Sequence, residues 1–410
     1  MRSTSRTRLL ALLASATLAG CTAPGQLNGR DDRAYEVSVA YIGSRPAVVW
    51  YGGTQQHEAL FMRYAGSAGS PQGPVLQLTD GRRDAYEPSL QDIGGEALVA
   101  WYEQETEHLQ GGARRQIALL ARFDASGRLR WQRQLSAADA NGRNPVVRVG
   151  GATIHVAWIE QPDGAEPAIR AASLDATGSW LQTPRSVQPV GTDTWNLNAA
   201  MGAKGVFHVL YDSGHDSRAK ELHWMRVQGN HVDDRLISAD DGKESAYPDI
   251  ALDGGRVAIT WFDRREGNAE VYLRCAQLDD GGSPPQNLRV DDGAARRVTH
   301  TSGDSTGAYV SWHEGHIELA WTEMSDQHRQ RLLLQRFDRN CVALGRPRVV
   351  SSVQEQAGIP SFAATTTGFA LAWDAQRRRE GQPATAEPGG KGSSRVLLRV
   401  WPHRVGEGAR

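Results

Sequence analysis

Six carboxylates recur at one place in the sequence pattern. Glu103, Glu160, Asp263 and Glu323 each stand two residues after the aromatic that ends an apolar run, and Asp212 and Asp374 stand one residue after theirs. Basic residues interleave with them: Arg264 and Arg265 follow Asp263 directly, and Arg82, Arg83, Arg143, Arg296 and Arg297 fall in corresponding stretches. Planar guanidinium forks suit carboxylates and other oxyanions, so a face carrying both signs could grip a polar ligand. A local role fits the same spacing. Asp and Glu side chains accept hydrogen bonds from the backbone N–H groups of their own loops, and a position repeated along a chain usually serves the repeat. Both arrangements stay open, and the candidate ligand face is Glu103, Glu160, Asp212, Asp263, Arg264, Arg265, Glu323 and Asp374.

Other chemistry is not legible. His57-Glu58 lacks the second histidine of the helical zinc motif, and Asp240-Asp241-Gly242 lacks the spacing of a calcium loop. The sequence contains no phosphate loop, no nucleophile elbow and no C-x-x-C pair. No catalytic residue, metal ligand or cofactor is assigned.

The elements that would carry these residues are strands. The aromatics Trp50, Trp101, Trp158, Tyr211, Trp261, Trp321 and Trp373 end short apolar runs spaced 50 to 60 residues apart. A near-fixed period of that size marks a stacked or circular repeat. Upstream of each anchor lies a shorter strand and a Gly turn, such as Gly94-Gly95 or Gly254-Gly255. Downstream come a third strand, an Asp-rich turn and a fourth strand. The expected fold is all-β: a single β-propeller of seven four-stranded blades. The stretch 77–87 reappears in near copy at 26–36, whereas the last repeat stops after its third strand near Trp401. An N-terminal strand at Gln26-Leu27 would then complete the last blade and cover its open edge.

The N-terminus reads as a targeting segment. Arg2, Arg6 and Arg8 precede a short apolar run at 9–18, too short to span a bilayer as a mature helix. The following Leu18-Ala19-Gly20-Cys21 resembles the lipobox of bacterial lipoproteins. That resemblance implies a signal peptide at 1–20, lipid on Cys21, a tether at 21–25, a propeller domain at 26–401 and a tail at 402–410. Thr22 in place of Asp implies the outer membrane. The formal charge is −1, or −4 without the three signal arginines, which argues against a nucleic-acid partner. Cys275 lies within a strand and Cys341 within a hairpin turn of the next repeat. An oxidising compartment permits a bond between them, and the spacing leaves it open.

The run Trp261-Phe262-Asp263-Arg264-Arg265-Glu266-Gly267-Asn268-Ala269-Glu270-Val271-Tyr272 resembles the repeat of exported sialidase-like, BNR-type propellers. Ser173 to Trp180 resembles their Asp-box with its Gly one place late, and the Asp124 to Trp131 turn resembles that of PQQ-type propeller repeats. The sialidase set of three arginines, a Tyr–Glu pair and an acid Asp is not traceable. The expected function is therefore that of a monomeric, non-enzymatic binding or scaffold lipoprotein of the cell envelope. Its partner would be an envelope protein or a glycan met by the loop face, with the insertion at 375–394 available for contact. The alternative is a sialidase-like glycan-binding or glycoside-hydrolysing propeller. Replacing Cys21→Ala should move the protein from the membrane fraction to the soluble fraction of the envelope. Equal membrane retention of both forms would refute the anchor.

Overall fold

A computed structural model describes residues 23–402 apart from 30–31, 54–56, 109–113, 215–218, 239–240, 280–293, 325–328, 366–367 and 378–393. Cys21, the signal segment, nearly all of the tail and most of the 375–394 insertion lie outside the described residues. Seven four-stranded antiparallel sheets follow one another in chain order. Blades 1 to 6 are formed by residues 35–77, 84–134, 140–189, 197–236, 245–297 and 305–349; blade 7 comprises 355–402 and the N-terminal strand Gly25–Gln26. The first strand of each blade lines the central channel and the fourth lies at the periphery. Loops from second to third strand share a face with the connections between blades. The hairpin Ile93↔Glu96 turns on Gly94 and Gly95 at φ +64° and +82°, a pair of positive values that side chains resist.

Packing follows from burial on both faces of every inner sheet layer. The seven anchor aromatics are 0–2 % exposed and sit between blades. A covered sheet selects near-continuous apolar runs over strict alternation, which is why these second strands read as they do. The Asp-rich turns belong to this packing too. Asp175 Oδ1 accepts from the N–H groups of Thr177 and Ser179 at 2.8 and 3.0 Å. The turn so held docks on blade 2, where Trp131 Nε1 and Arg133 Nε donate to the Ala176 and Gly178 carbonyls at 3.1 and 2.7 Å.

One long-range tie closes the ring and a second staples neighbouring blades 5 and 6. Gly25 and Gln26 pair with Leu398 and Leu397, and the Leu27 N–H donates to the Val396 carbonyl at 2.8 Å. Asn28 extends the register with its side chain, donating to Ser394 O at 2.7 Å and accepting from Val396 N at 2.8 Å. The closing strand therefore pairs one residue earlier than Gln26-Leu27, with Leu27 fully buried just beyond it. The second tie answers the open question about the cysteines. Cys275 and Cys341 form a disulfide with Cα atoms 5.8 Å apart, because the third strand of blade 5 faces the outer hairpin of blade 6.

Removing residues 23–29 discards the buried Leu27 and the Asn28 bonds and reopens a sheet edge. Unfolding in urea should show a loss of about 3–5 kcal/mol. An unchanged midpoint and slope would show that this strand does not close the ring.

Candidate functional site at the mouth of the channel

The inner strands do not run straight into the channel. In six of the seven blades, the pairing of first and second strands slips near the strand's start, at Tyr35/Ser38, Tyr86/Ser89, Arg143/Val146, Ala246/Asp249, Thr306/Tyr309 and Ala357/Pro360. Each slip is a bulge, which re-aims one side chain. At five of them the bulged residue has a left-handed backbone: Glu36, Glu87, Asn144, Tyr247 and Gly307 have φ of 41°, 50°, 50°, 54° and 55°. Glycine takes that conformation freely; Glu, Asn and Tyr pay of order 1–3 kcal/mol for it. Pro88, Pro145 and Pro248 follow three of them and carry no N–H for the broken ladder to strand. Strain retained at four positions around one opening marks that opening as a candidate site.

The opening leads into a cavity of about 290 Å3, at the small end of sizes that hold a small molecule. Glu87 lines it. Trp195 Nε1 donates to Glu87 Oε1 at 3.1 Å, and Asn144 Nδ2 donates to Glu87 Oε2. Trp195 and Tyr247 are each 37 % exposed and line the cavity, with Arg143 over the Trp195 ring and Phe262 stacked on Tyr247, whereas Asn144 is buried. The Arg143 guanidinium sits 5.0 Å from the centre of the Trp195 ring and donates to Thr194 O at 3.1 Å. Beside the mouth, Tyr35, Tyr51, Tyr86 and Tyr102 form a file of rings with successive centroids 5.6, 5.1 and 5.4 Å apart.

Burial dominates the electrostatics. It pushes Glu36 up to about 7, with a further rise from the Asp374 charge. Burial and then the Glu36 charge push Glu87 up to about 8, against the opposing effects of Trp195 and Arg143. Burial raises Asp374 to about 7, although backbone N–H bonds, including that of Glu36, favour its charge. Three carboxyls in one place thus hold protons near neutrality. Tyr51 and Tyr102 are pushed upward by burial and by the same two glutamates, so they stay neutral.

The structure places the sequence-derived candidates on the same face but in separate blades, each with local partners. Glu103, Glu160 and Asp263 accept from the indole N–H of their own anchors Trp101, Trp158 and Trp261 at 3.2, 3.1 and 3.3 Å. Glu160 also accepts from the Ala137 N–H at 2.9 Å. Burial raises Asp263, but bonds from Arg265 and Ser245 outweigh it and hold the carboxyl below its usual range. Arg264 pairs with Glu244 and Asp304 at 3.2 and 3.1 Å, and Glu323 pairs with Arg331. Asp212 and Asp374, one place nearer their anchors, reach inward to the bulges. Asp212 accepts from the Tyr247 N–H at 2.9 Å and from Asn196 Nδ2 at 2.8 Å. Asp374 accepts from the Glu36 N–H, and a Cβ at Gly358 would collide with its carboxylate. A second, shallower cavity of about 690 Å3 includes Glu103 and Glu105, with Arg83 3.6 and 3.5 Å from them.

Glu36, Glu87 and Asn144 are not among the residues that the sequence pattern singles out. One signal was present: the near copies at 26–36 and 77–87 both end in Tyr-Glu, at Tyr35-Glu36 and Tyr86-Glu87. Among the described residues, no group of three or more His, Cys, Asp or Glu is placed to hold a metal ion.

The sequence matches no protein-family model, and no curated protein matches it. In three dimensions the chain is similar to an ulvan lyase of polysaccharide lyase family PL25, whose structure holds a GlcA(1-4)Rha3S segment. The TM-score is 0.56 at 11% identity, over 92% of this chain and 94% of that one. It is also similar to the endosialidase of phage phi92, with a TM-score of 0.51 at 10% identity over 94% and 70%. A Trypanosoma rangeli sialidase matches 92% of this chain but 57% of its own length, with a TM-score of 0.48 at 10% identity, so this chain spans little more than half of that protein. The chain has the fold of sialidase-like β-propellers; identities this low carry fold and no chemistry.

The raised carboxyls make stability depend on pH. The folded state holds the Glu87 proton up to about 8, while the unfolded chain releases it near 4.5. Protons bound in the folded state exceed those in the unfolded state across that window, so this contribution is full below the lower value and lost as pH rises through the upper one. Glu87→Gln cannot ionise. Its loss of stability between pH 5 and pH 8.5 should be smaller than that of the wild type by roughly 1–2 kcal/mol. Parallel pH profiles would show that Glu87 titrates normally.

Proposed function

We propose that this protein is an exported, lipid-anchored envelope propeller that binds carbohydrate at the mouth of its central channel. The observation that carries the reading is the constellation in that opening: Glu87 bridged by Asn144 and Trp195, with Tyr247 alongside. Sugars offer hydroxyls for carboxyl and amide groups, and C–H faces for aromatic rings. A small concave site with partly exposed indole and phenol rings and a few convergent polar groups suits such a ligand. The likeness to carbohydrate-active propellers supports this reading over a protein scaffold. The 375–394 insertion, which favoured a scaffold, contributes no structural argument. Export is supported by the lipobox resemblance at Cys21 and by the Cys275–Cys341 disulfide, which suits an oxidising compartment.

Hydrolysis of the bound glycan is a second reading, favoured by one observation. A carboxyl held protonated near neutrality, as Glu87 is, meets the requirement for a general acid at a glycosidic oxygen.

A glycan array probed with the full-length protein should give discrete positive sugars, and Trp195→Ala should reduce their binding about tenfold or more. A blank array, or one unchanged by Trp195→Ala, would refute carbohydrate binding at the mouth. Aryl-glycoside turnover lost in Glu87→Gln would establish the second reading; no turnover would confine the protein to binding.

A further inference from the structure

We infer that the mouth recognises the ammonium group of an amino sugar, so that its ligand is an N-deacetylated hexosamine oligosaccharide instead of an acidic one. This inference rests on the carbohydrate reading above.

A carboxylate or sulfate on a ligand would meet Glu36 and Glu87, with Asp374 behind Glu36. Two guanidiniums stand near the pair and both are engaged: Arg143 with Thr194 O and the Trp195 ring, and Arg148, which lines the cavity, with the Ala199 and Val147 carbonyls. An anionic group would find no free cation to pair with there, and it would be repelled once the carboxyls ionise. An ammonium group meets the opposite situation. It carries three donors and no acceptor.

The opening supplies acceptors to match. The carboxyls of Glu36 and Glu87 are two. The third is independent of them: Asn144 Oδ1 is buried and has no hydrogen-bond partner, while the other end of the same amide is bonded to Glu87. A buried carbonyl oxygen left unpaired costs of order 1–3 kcal/mol, which a ligand donor placed there would recover. Trp195 and Tyr247 line the same opening and are partly exposed, which gives the sugar ring apolar contact area. The non-glycine bulges at Glu36, Glu87, Asn144 and Tyr247 thus place two carboxyls, one carbonyl and one ring around a single point of entry.

Pairing with an ammonium requires the glutamates as carboxylates. Binding therefore expels to solvent the proton that burial holds there. The titratable and charged groups around the pair are Asp374, Asp249, Arg143, Arg148, Tyr51, Tyr102, Tyr247 and Tyr309. The tyrosines are held neutral by their raised values, so the released proton comes from the carboxyls.

The test is calorimetry on the full-length protein at pH 7 with three probes: the disaccharide of glucosamine, its di-N-acetyl form, and the disaccharide of galacturonic acid. The diamine should bind at least about tenfold tighter than either other probe, and Asn144→Ala and Glu87→Gln should each remove about tenfold or more of that affinity. Its enthalpy should also differ between phosphate and Tris buffers, which reads the released proton. Equal or tighter binding of the N-acetyl or acidic disaccharide would overturn the ammonium inference and leave carbohydrate binding standing. Binding of none of the three, by a protein whose circular dichroism shows it folded, would overturn both. The comparison among probes on the wild type stands even where a variant misfolds.

Discussion

The mouth of this propeller depends on a backbone conformation that side chains avoid. Each left-handed residue near the start of an inner strand would relax if its neighbours allowed it, and the neighbours do not. The Tyr247 N–H is held by Asp212 and the Glu36 N–H by Asp374. Those acids are fixed in turn by second strands whose anchor aromatics are packed between blades. The sequence of constraint runs from apolar burial, to anchor position, to acid, to bulge, and only then to the side chain in the channel. Gly307 occupies the same conformation without strain, which shows what the position accepts when no side chain is wanted there.

This order explains what could be read from the sequence. Periodic aromatics, Gly turns and the duplicated segment at 26–36 report burial and topology, and they led to seven blades and terminal closure. The post-anchor acids were equally visible, because they recur with the anchors. Their partners were not: Trp101 and Trp158 indoles meeting Glu103 and Glu160 are contacts of folded side chains. Glu36 and Glu87 stayed hidden for another reason. In a strand pattern alternation sets direction, and a bulge breaks the alternation at the very residue that matters. The Cys275–Cys341 bond required the relative placement of two blades, which sequence separation alone does not supply.

Two kinds of carboxylate emerge. Asp263 is partnered by donors and held in its charged form, and it serves the architecture of its blade. Glu36 and Glu87 are raised first by burial, then by the charge of Asp374 and of Glu36 respectively, and hold protons. Charge placed at the rim belongs to the repeat, while the polar groups still able to bind something lie at the axis, where all blades converge. The chemistry of this mouth rests on those groups and not on the shape it shares with an ulvan lyase and an endosialidase.

The central claim is that convergence of the blades keeps these carboxyls protonated at neutral pH beside an open cavity. Carbon-13 NMR of the protein labelled at glutamate side-chain carboxyls measures this directly. The account predicts two resonances that titrate above pH 6, with one of them absent in Glu87→Gln and the other, raised by burial and the Asp374 charge, still titrating above pH 6. Glutamate carboxyls that all titrate below pH 5 would contradict it.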